Sequence, residues 1–194
     1  MKKIVLGISG TPRPNGNSNH LLTYAISPFL ENGWSATILK LSVLEVTPCN
    51  GCEACLKTGK CVFDDDMSKF YEAFSSCHAL LIASPVYYRN ISSRLQAVFE
   101  RHYACKQIQP LRGKPGGAIA VGRSTGGGGQ AIAISIIHNW LLSCGAICVP
   151  GELNGVTAAA DKPGDILQQE NRLKQARTLG ENVMKTAEKL FQNN

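Results

Sequence analysis

Lys2-Lys3-Ile4-Val5-Leu6-Gly7-Ile8-Ser9-Gly10, running into Thr11-Pro12-Arg13-Pro14-Asn15-Gly16-Asn17-Ser18-Asn19, is the stretch on which the fold turns. The apolar, partly β-branched run up to Ser9 predicts a strand, and the prolines, glycines and amides after it predict a loop. An amphipathic stretch at 17–32 then predicts a helix. Strand, polar loop and helix in that order make the opening unit of an α/β protein.

The same alternation continues outward. Strands are expected at 36–41, 79–83, 116–121 and 146–149, and helices at 66–77, 92–105, 130–144 and 166–191. The run Ala79-Leu80-Leu81-Ile82-Ala83 is apolar at every position, as in a parallel strand buried on both faces. Five strands alternating with helices predict a doubly wound, five-stranded parallel sheet with helices on both faces. With 194 residues the chain suits one domain, 1–194, with a cysteine-rich insertion at 48–63. The acidic run Asp64-Asp65-Asp66 falls where carboxylates favour a helix N-terminus.

Charge and apolar run length exclude several classes. The net charge of +6, from 20 Lys and Arg against 14 Asp and Glu, is scattered and forms no basic stripe, so no nucleic-acid partner is expected. The longest apolar runs, 79–83 and 131–137, fall far short of the roughly 20 residues of a membrane span. No secretory leader pattern opens the chain, so a soluble, cytoplasmic protein is expected, without a membrane partner.

In parallel sheets ligands bind beyond the carboxyl ends of the strands, where three unusual loops converge. The first, 9–19, supplies hydroxyls, amides and glycines at a helix N-terminus, where free N–H groups and the helix dipole bind phosphate. It matches neither the phosphate loop of nucleoside triphosphatases nor the dinucleotide fingerprint, and no lysine is placed for a second phosphate, so a monophosphate is expected. Its alternative is a plain N-cap at Asn17 or Ser18. The second loop, Ser84-Pro85-Val86-Tyr87-Tyr88-Arg89-Asn90, suits a planar ring, or else caps the core with its tyrosines. The third, 122–130, holds Gly126 to Gly129 and either lets a ligand approach the backbone or is merely flexible. A phosphate at one end and a flat ring at the other describe flavin mononucleotide (FMN).

Cys49, Cys52, Cys55 and Cys61 are spaced C-x2-C-x2-C-x5-C, which starts like the ferredoxin run and ends with a longer interval. A 4Fe-4S cluster is the first reading. A zinc site and metal-free or redox thiols remain open. Cys77, Cys105, Cys144 and Cys148 share no spacing and are expected to be buried packing residues. His20, His78, His102 and His138 are isolated, and they and the two tryptophans, Trp34 and Trp140, are read as packing or surface residues.

On these residues the chain resembles the flavodoxin-like NAD(P)H-dependent FMN reductases, specifically the iron-sulfur flavoproteins. The resemblance rests on residues 9–19, on Cys49-Asn50-Gly51-Cys52-Glu53-Ala54-Cys55 with Gly59-Lys60-Cys61 and Asp65-Asp66-Met67, and on Ser84-Pro85-Val86-Tyr87. It extends through Leu95-Gln96-Ala97-Val98-Phe99-Glu100-Arg101 and 126–130, about the first two thirds of the chain. It implies the flavodoxin-like strand order 2-1-3-4-5, with Ser9, Thr11, Arg13, Asn17, Ser18 and Asn19 at the FMN phosphate. It implies Pro85, Val86, Tyr87 and Asn90 at the ring and ribityl chain, and Gly126, Gly127, Gly128, Gly129 and Gln130 at the pyrimidine side. The family's dimers or tetramers imply a homodimer or homotetramer. This chain departs from many relatives at Ala131, where they carry Glu, and at His78, where an acidic residue is common.

The expected function is that of an FMN oxidoreductase whose cluster, held by Cys49, Cys52, Cys55 and Cys61, relays single electrons. NAD(P)H or a partner such as ferredoxin would be the donor, and a quinone, oxygen species, peroxide or protein the acceptor. The alternatives are a cluster-free NAD(P)H:quinone or FMN reductase, and a non-catalytic electron carrier or zinc-stabilised binding module. No side chain is assigned as catalytic, because the flavin carries the redox chemistry.

Overall fold

The computed structural model describes residues 2–124 and 128–191. Its elements are β1 (Ile4–Ser9), α1 (Asn17–Glu31), β2 (Ser35–Lys40), α2 (Ala54–Thr58), α3 (Met67–Ser76) and β3 (Ala79–Pro85). They continue with α4 (Ser93–Arg101), β4 (Pro115–Gly122), α5 (Gly129–Ser143), β5 (Ile147–Cys148), β6 (Val156–Ala159) and α6 (Glu170–Phe191). Every strand pairing is parallel, in the order β2-β1-β3-β4-β5, as the resemblance implies.

The sheet has a sixth strand that the sequence reading lacks. β5 pairs with the start of β4, Ile147 opposite Pro115 and Cys148 opposite Gly116. The chain then leaves the sheet at Pro150-Gly151 and returns as β6, with Val156 to Ala159 opposite Ile119 to Gly122. The fifth sheet position is therefore shared by two short strands. Proline and glycine interrupt the pairing, and four residues are too few to show a period of two.

Helix ends also differ from expectation. The predicted helix over 92–105 is α-helical only to Arg101 and tightens into a 3-10 turn at His102–Cys105. The predicted 166–191 begins as a separate 3-10 turn, Asp165–Gln168. The short α2 within the cysteine loop has no counterpart among the sequence expectations.

The pleat sends alternate residues of each strand to opposite faces. Leu6, Ile8, Leu80 and Ile82 pack against Phe70, Phe74, Val98 and Trp140, from α3, α4 and α5. Val5, Leu81 and Ile119 pack against Phe29, Leu179 and Val183, from α1 and α6. Trp34 and Trp140 are both buried. At His78 the imidazole Nδ1 accepts the Ile4 N–H at 3.2 Å, so an acceptor is retained there without a carboxylate. Burial lowers the His78 pKa and favours the neutral ring that this contact requires. Among the described residues, no helix is long and apolar enough to cross a membrane.

Candidate functional site

The loops after β1, β3 and β4 and the loop after β6 enclose a cavity of about 350 Å³ at the carboxyl edge of the sheet. On its phosphate side stand Thr11, Arg13, Gly16, Asn17 and Ser18. Helix α1 starts there without a side-chain cap and without an acidic residue in its first turn. The positive end of its dipole is left for an anion. The Ser18 hydroxyl is buried and has no hydrogen-bond partner among the described residues. A buried hydroxyl without a partner is costly unless a ligand completes it. Gly16 matters through space: a Cβ there would lie 2.5 Å from Thr11 Oγ1.

The other expected phosphate residues divide. Ser9 and Asn19 are buried, and Ser9 Oγ and Asn19 Oδ1 lack partners, but neither residue lines the cavity. Asn17 lines it, yet its amide is committed to the loop after β6. Its Nδ2 donates to Lys162 O at 2.9 Å, and its Oδ1 accepts from Gly164 N at 2.9 Å and Ile166 N at 3.3 Å. Asn17 therefore holds a wall of the cavity.

The ring side is formed by Pro85, Val86, Tyr87 and Tyr88. Tyr87 and Asn90 exchange backbone hydrogen bonds of 2.9 and 3.0 Å around Tyr88-Arg89, whose φ angles are +47° and +67°. Two successive positive φ values mark a type I′ turn, which glycine and asparagine favour and tyrosine does not. Asn90 lies outside the lining, with Oδ1 accepting its neighbour's Ile91 N–H at 2.8 Å. Tyr88 is wholly exposed, so Tyr88→Asn removes little packing and relieves the turn. It is expected to stabilise the protein by about 1 kcal/mol. A thermal melt should then shift up by roughly 2–4 °C, and an unchanged or lower midpoint would show that the tyrosine ring stabilises the folded chain.

Of the glycine loop, Gly126 and Gly127 lie outside the described residues. Gly128 precedes α5 with φ +65°, where the left-handed backbone favours glycine. Gln130 is buried and donates from Nε2 to Ser124 O at 2.7 Å and Ala158 O at 3.2 Å. It ties the loop after β4 to β6 and, unlike Asn17, does not line the cavity. Sequence reading missed Val121, Ala160, Asp161 and Pro163 in the walls, whereas Gly122 and Arg123 open the third loop singled out above. Arg123 and Asp161 form an exposed ion pair of 2.7 Å. The available signal was the apolar run Val156-Thr157-Ala158-Ala159-Ala160 followed by Asp161-Lys162-Pro163-Gly164, a strand followed by a turn.

Cys49, Cys52, Cys55 and Cys61 line a second, separate cavity of about 130 Å³, closed in part by Phe63 and Tyr103. Burial and then the nearby Cys61 raise the Cys55 pKa, with smaller contributions from Cys52 and Cys49. Among the described residues, no three side chains converge tightly enough for a single metal ion. The remaining cysteines are packing residues as expected for Cys77, Cys105 and Cys144, whereas Cys148 is only half-buried. Burial pushes the Cys77 and Cys105 thiols up to about 11 and Cys144 up to about 12, so they remain protonated and unreactive.

A doubly wound sheet of this strand order, with an anion cradle at the first helix and an aromatic wall after the third strand, defines a flavodoxin-like protein. The chain belongs to the NADPH-dependent FMN reductase family, whose model matches residues 4–160. It is thereby a flavoprotein oxidoreductase with FMN as its cofactor. It is 36% identical over 183 residues to an iron-sulfur flavoprotein of Methanocaldococcus jannaschii, covering 92% of this chain and 94% of that one. An iron-sulfur flavoprotein of Methanosarcina thermophila is 36% identical over 146 residues, 75% of this chain and 76% of the other. Among solved structures, an NAD(P)H:quinone oxidoreductase from Methanothermobacter marburgensis superposes with a TM-score of 0.70 at 18% identity. That match covers 95% of this chain and 98% of the other and is a likeness of fold.

Proposed function

We propose that this protein is a cytoplasmic FMN oxidoreductase whose cysteine loop carries a 4Fe-4S cluster, passing electrons from NAD(P)H or ferredoxin to a small acceptor or a protein. The observation that carries the reading is the convergence of Cys49, Cys52, Cys55 and Cys61 on one cavity that shares no wall residue with the flavin cavity. Four thiolates that border a common space without closing on a single ion suit a cubane better than zinc. Tetrahedral zinc would draw its sulfurs to within about 4 Å of one another. The names of the relatives point the same way.

FMN, when bound, supplies hydride and single-electron chemistry. The chain's part is to bind and orient it. The α1 N-terminus and Ser18 receive the phosphate, Arg13 supplies opposite charge, and Pro85, Val86 and Tyr87 flank the ring. Thr11 stands beside the phosphate, Ser9, Asn19 and Asn90 support those loops, and the pyrimidine side is assigned to the glycine loop, of which Gly128 and Gly129 are among the described residues. Asn17 and Gln130 hold the cavity walls in register through the backbone around β6. A homodimer or homotetramer is the expected assembly.

Anaerobic purification, an absorption spectrum, and iron and sulfide analysis test the reading. About four irons and four sulfides per chain, with flavin bands above a broad shoulder, are expected. Flavin without iron would leave a cluster-free NAD(P)H:quinone or FMN reductase, and zinc in its place would leave a structural metal loop. Failure to oxidise NADH or NADPH alongside reduction by ferredoxin would make the protein an electron carrier. Cys52→Ala should lose nearly all iron and keep FMN within twofold of the wild type. Joint loss of both would place the cysteine loop in the flavin pocket or in an interface that builds it.

A further inference from the structure

Both ends of the cysteine loop are held by one buried arginine. Arg101, the last residue of α4, has a side chain only 1% exposed, while that of Asp65 is 13% exposed. Its guanidinium donates from Nη1 to Asp65 Oδ2 at 2.9 Å and from Nη2 to Asp65 Oδ1 at 3.1 Å. The same Nη1 donates to Thr47 O at 2.8 Å. The circuit closes because Thr47 N–H donates to Asp65 Oδ2 at 2.9 Å. Thr47 precedes the four cysteines and Asp65 follows them. The side chain that joins the two ends comes from a helix outside the loop.

Further contacts run beside this one. Glu45 N–H donates to Asp66 Oδ2 at 2.8 Å, and Asp66 N–H donates to Glu45 O at 3.2 Å. The Phe63 ring covers the guanidinium, its centroid 4.9 Å from the Arg101 Cζ. Gln107 Nε2 donates to Leu56 O at 3.0 Å and fixes the short helix α2. The acidic run 64–66 thus does more than start α3: Asp65 accepts the Met67 N–H, but both its oxygens also serve the loop closure.

A buried ion pair is an expensive way to stabilise a fold, since apolar residues of similar volume often do as well or better. A bidentate fork is suited to fixing geometry. Both ends of the loop are set at a defined separation by a planar pair whose bonds allow little sliding. Ordering the loop in advance lowers the entropy lost when four separate thiols must meet one ligand.

We propose that the Arg101–Asp65 pair is a positioning clamp that closes residues 48–63 into a preformed ring, so that Cys49, Cys52, Cys55 and Cys61 face one cavity before the metal centre is assembled. The inference rests on the reading that this loop carries a cluster, and it deepens that reading by assigning the residues that shape the site. Arg101 and Asp65 are positioning residues, and neither is a metal ligand.

The test compares Arg101→Met, Arg101→Lys and the near-isosteric Asp65→Asn with wild type, as purified and after removal of metal. Iron and FMN per chain are measured in the first state, and tryptic cleavage at the exposed Lys57 and Lys60 in the second. Arg101→Met and Asp65→Asn should reduce iron at least fivefold, keep FMN within twofold, and speed loop cleavage at least tenfold. Arg101→Lys, which keeps the charge and loses the fork, should fall between them and wild type. Unchanged cleavage in both Arg101→Met and Asp65→Asn overturns the clamp, as does joint loss of iron, FMN and helical circular dichroism in Asp65→Asn. Iron-free wild type would defeat the cluster reading alone, because the cleavage comparison still decides whether the clamp orders the loop.

Discussion

Ser18→Asp weakens FMN binding by on the order of 1000-fold while leaving the fold intact. Ser18 is 2% exposed, its hydroxyl has no partner among the described residues, and it lies in the first turn of α1 at the cavity. A carboxylate at that point stands where the phosphate is expected. Two unit charges about 4 Å apart repel by roughly 4 kcal/mol at an effective dielectric constant near 20, which is about three decades in affinity. In the flavin-free protein the same aspartate lies at a helix N-terminus, where negative charge is favourable by up to about 1 kcal/mol. That gain offsets part of the cost of burying a carboxylate, and melts of the flavin-free Ser18→Asp and Ser18→Ala variants measure the remainder apart from the collapse in affinity. Ser18→Ala supplies the scale, because losing one hydrogen bond to a charged group costs about 1.5–3 kcal/mol, or roughly 10- to 100-fold. Fluorescence titration of the flavin-free variants with FMN measures both. Equal affinity in Ser18→Asp and wild type would move the phosphate away from α1.

Gly180→Ala is expected to be among the most damaging single-methyl additions in the chain. A Cβ on Gly180 would run into the carbonyl oxygen of Ala25, so the backbones of α1 and α6 touch where these helices cross. Alanine is favoured over glycine within a helix by about 1 kcal/mol, which would stabilise the variant if the site were open. Here the obstacle is main chain, which no rotamer change can move aside. The helices must separate and loosen the apolar layer around Phe29, Leu179 and Val183. Overpacking of this kind costs about 3 kcal/mol net, or roughly 6–12 °C in melting temperature for a chain of this size. Glu181→Ala, one position on and outside the core, serves as the control. A Gly180→Ala melt equal to that control would mean that α6 can shift at no cost.

The two effects act on different links of the same chain of causes. The α1–α6 contact sets where α1 begins, because Asn17 is tied to Lys162, Gly164 and Ile166 in the approach to α6. Disturbing α6 therefore reaches the anion cradle through backbone and not through any ligand contact. The cysteine loop stands apart on the other side of the sheet, anchored to α4 by Arg101 and to the segment after it by Gln107. This separation is why flavin and metal are expected to be lost independently.

Much of this architecture is legible in local pattern. The apolar runs at 4–9 and 79–83, each followed by a polar loop and a helical period, announce a parallel sheet and mark which loops lie at its working edge. The spacing of Cys49, Cys52, Cys55 and Cys61 predicts that they are neighbours in space, and the structure brings all four to one cavity. Side-chain orientation is another matter. Asn17, Asn90 and Gln130 are polar residues at the expected places, but the amides of Asn17 and Gln130 tie loops to the backbone around β6, and that of Asn90 accepts from the next residue of its own turn.

The series of elements and the chemistry of three loops follow from local order, because strand and helix periods, turn residues and thiol spacing are properties of neighbours along the chain. The distribution of that chemistry is set by long-range packing. The split of the fifth strand into β5 and β6, the contact of Gly180 with Ala25, and the closing of the cysteine loop by Arg101 and Asp65 each join residues distant in sequence. A donor or acceptor cannot reveal its partner by its own identity, since many partners satisfy it equally. Packing selects one of them, and in doing so it determines which polar atoms, such as the Ser18 hydroxyl, remain for a ligand.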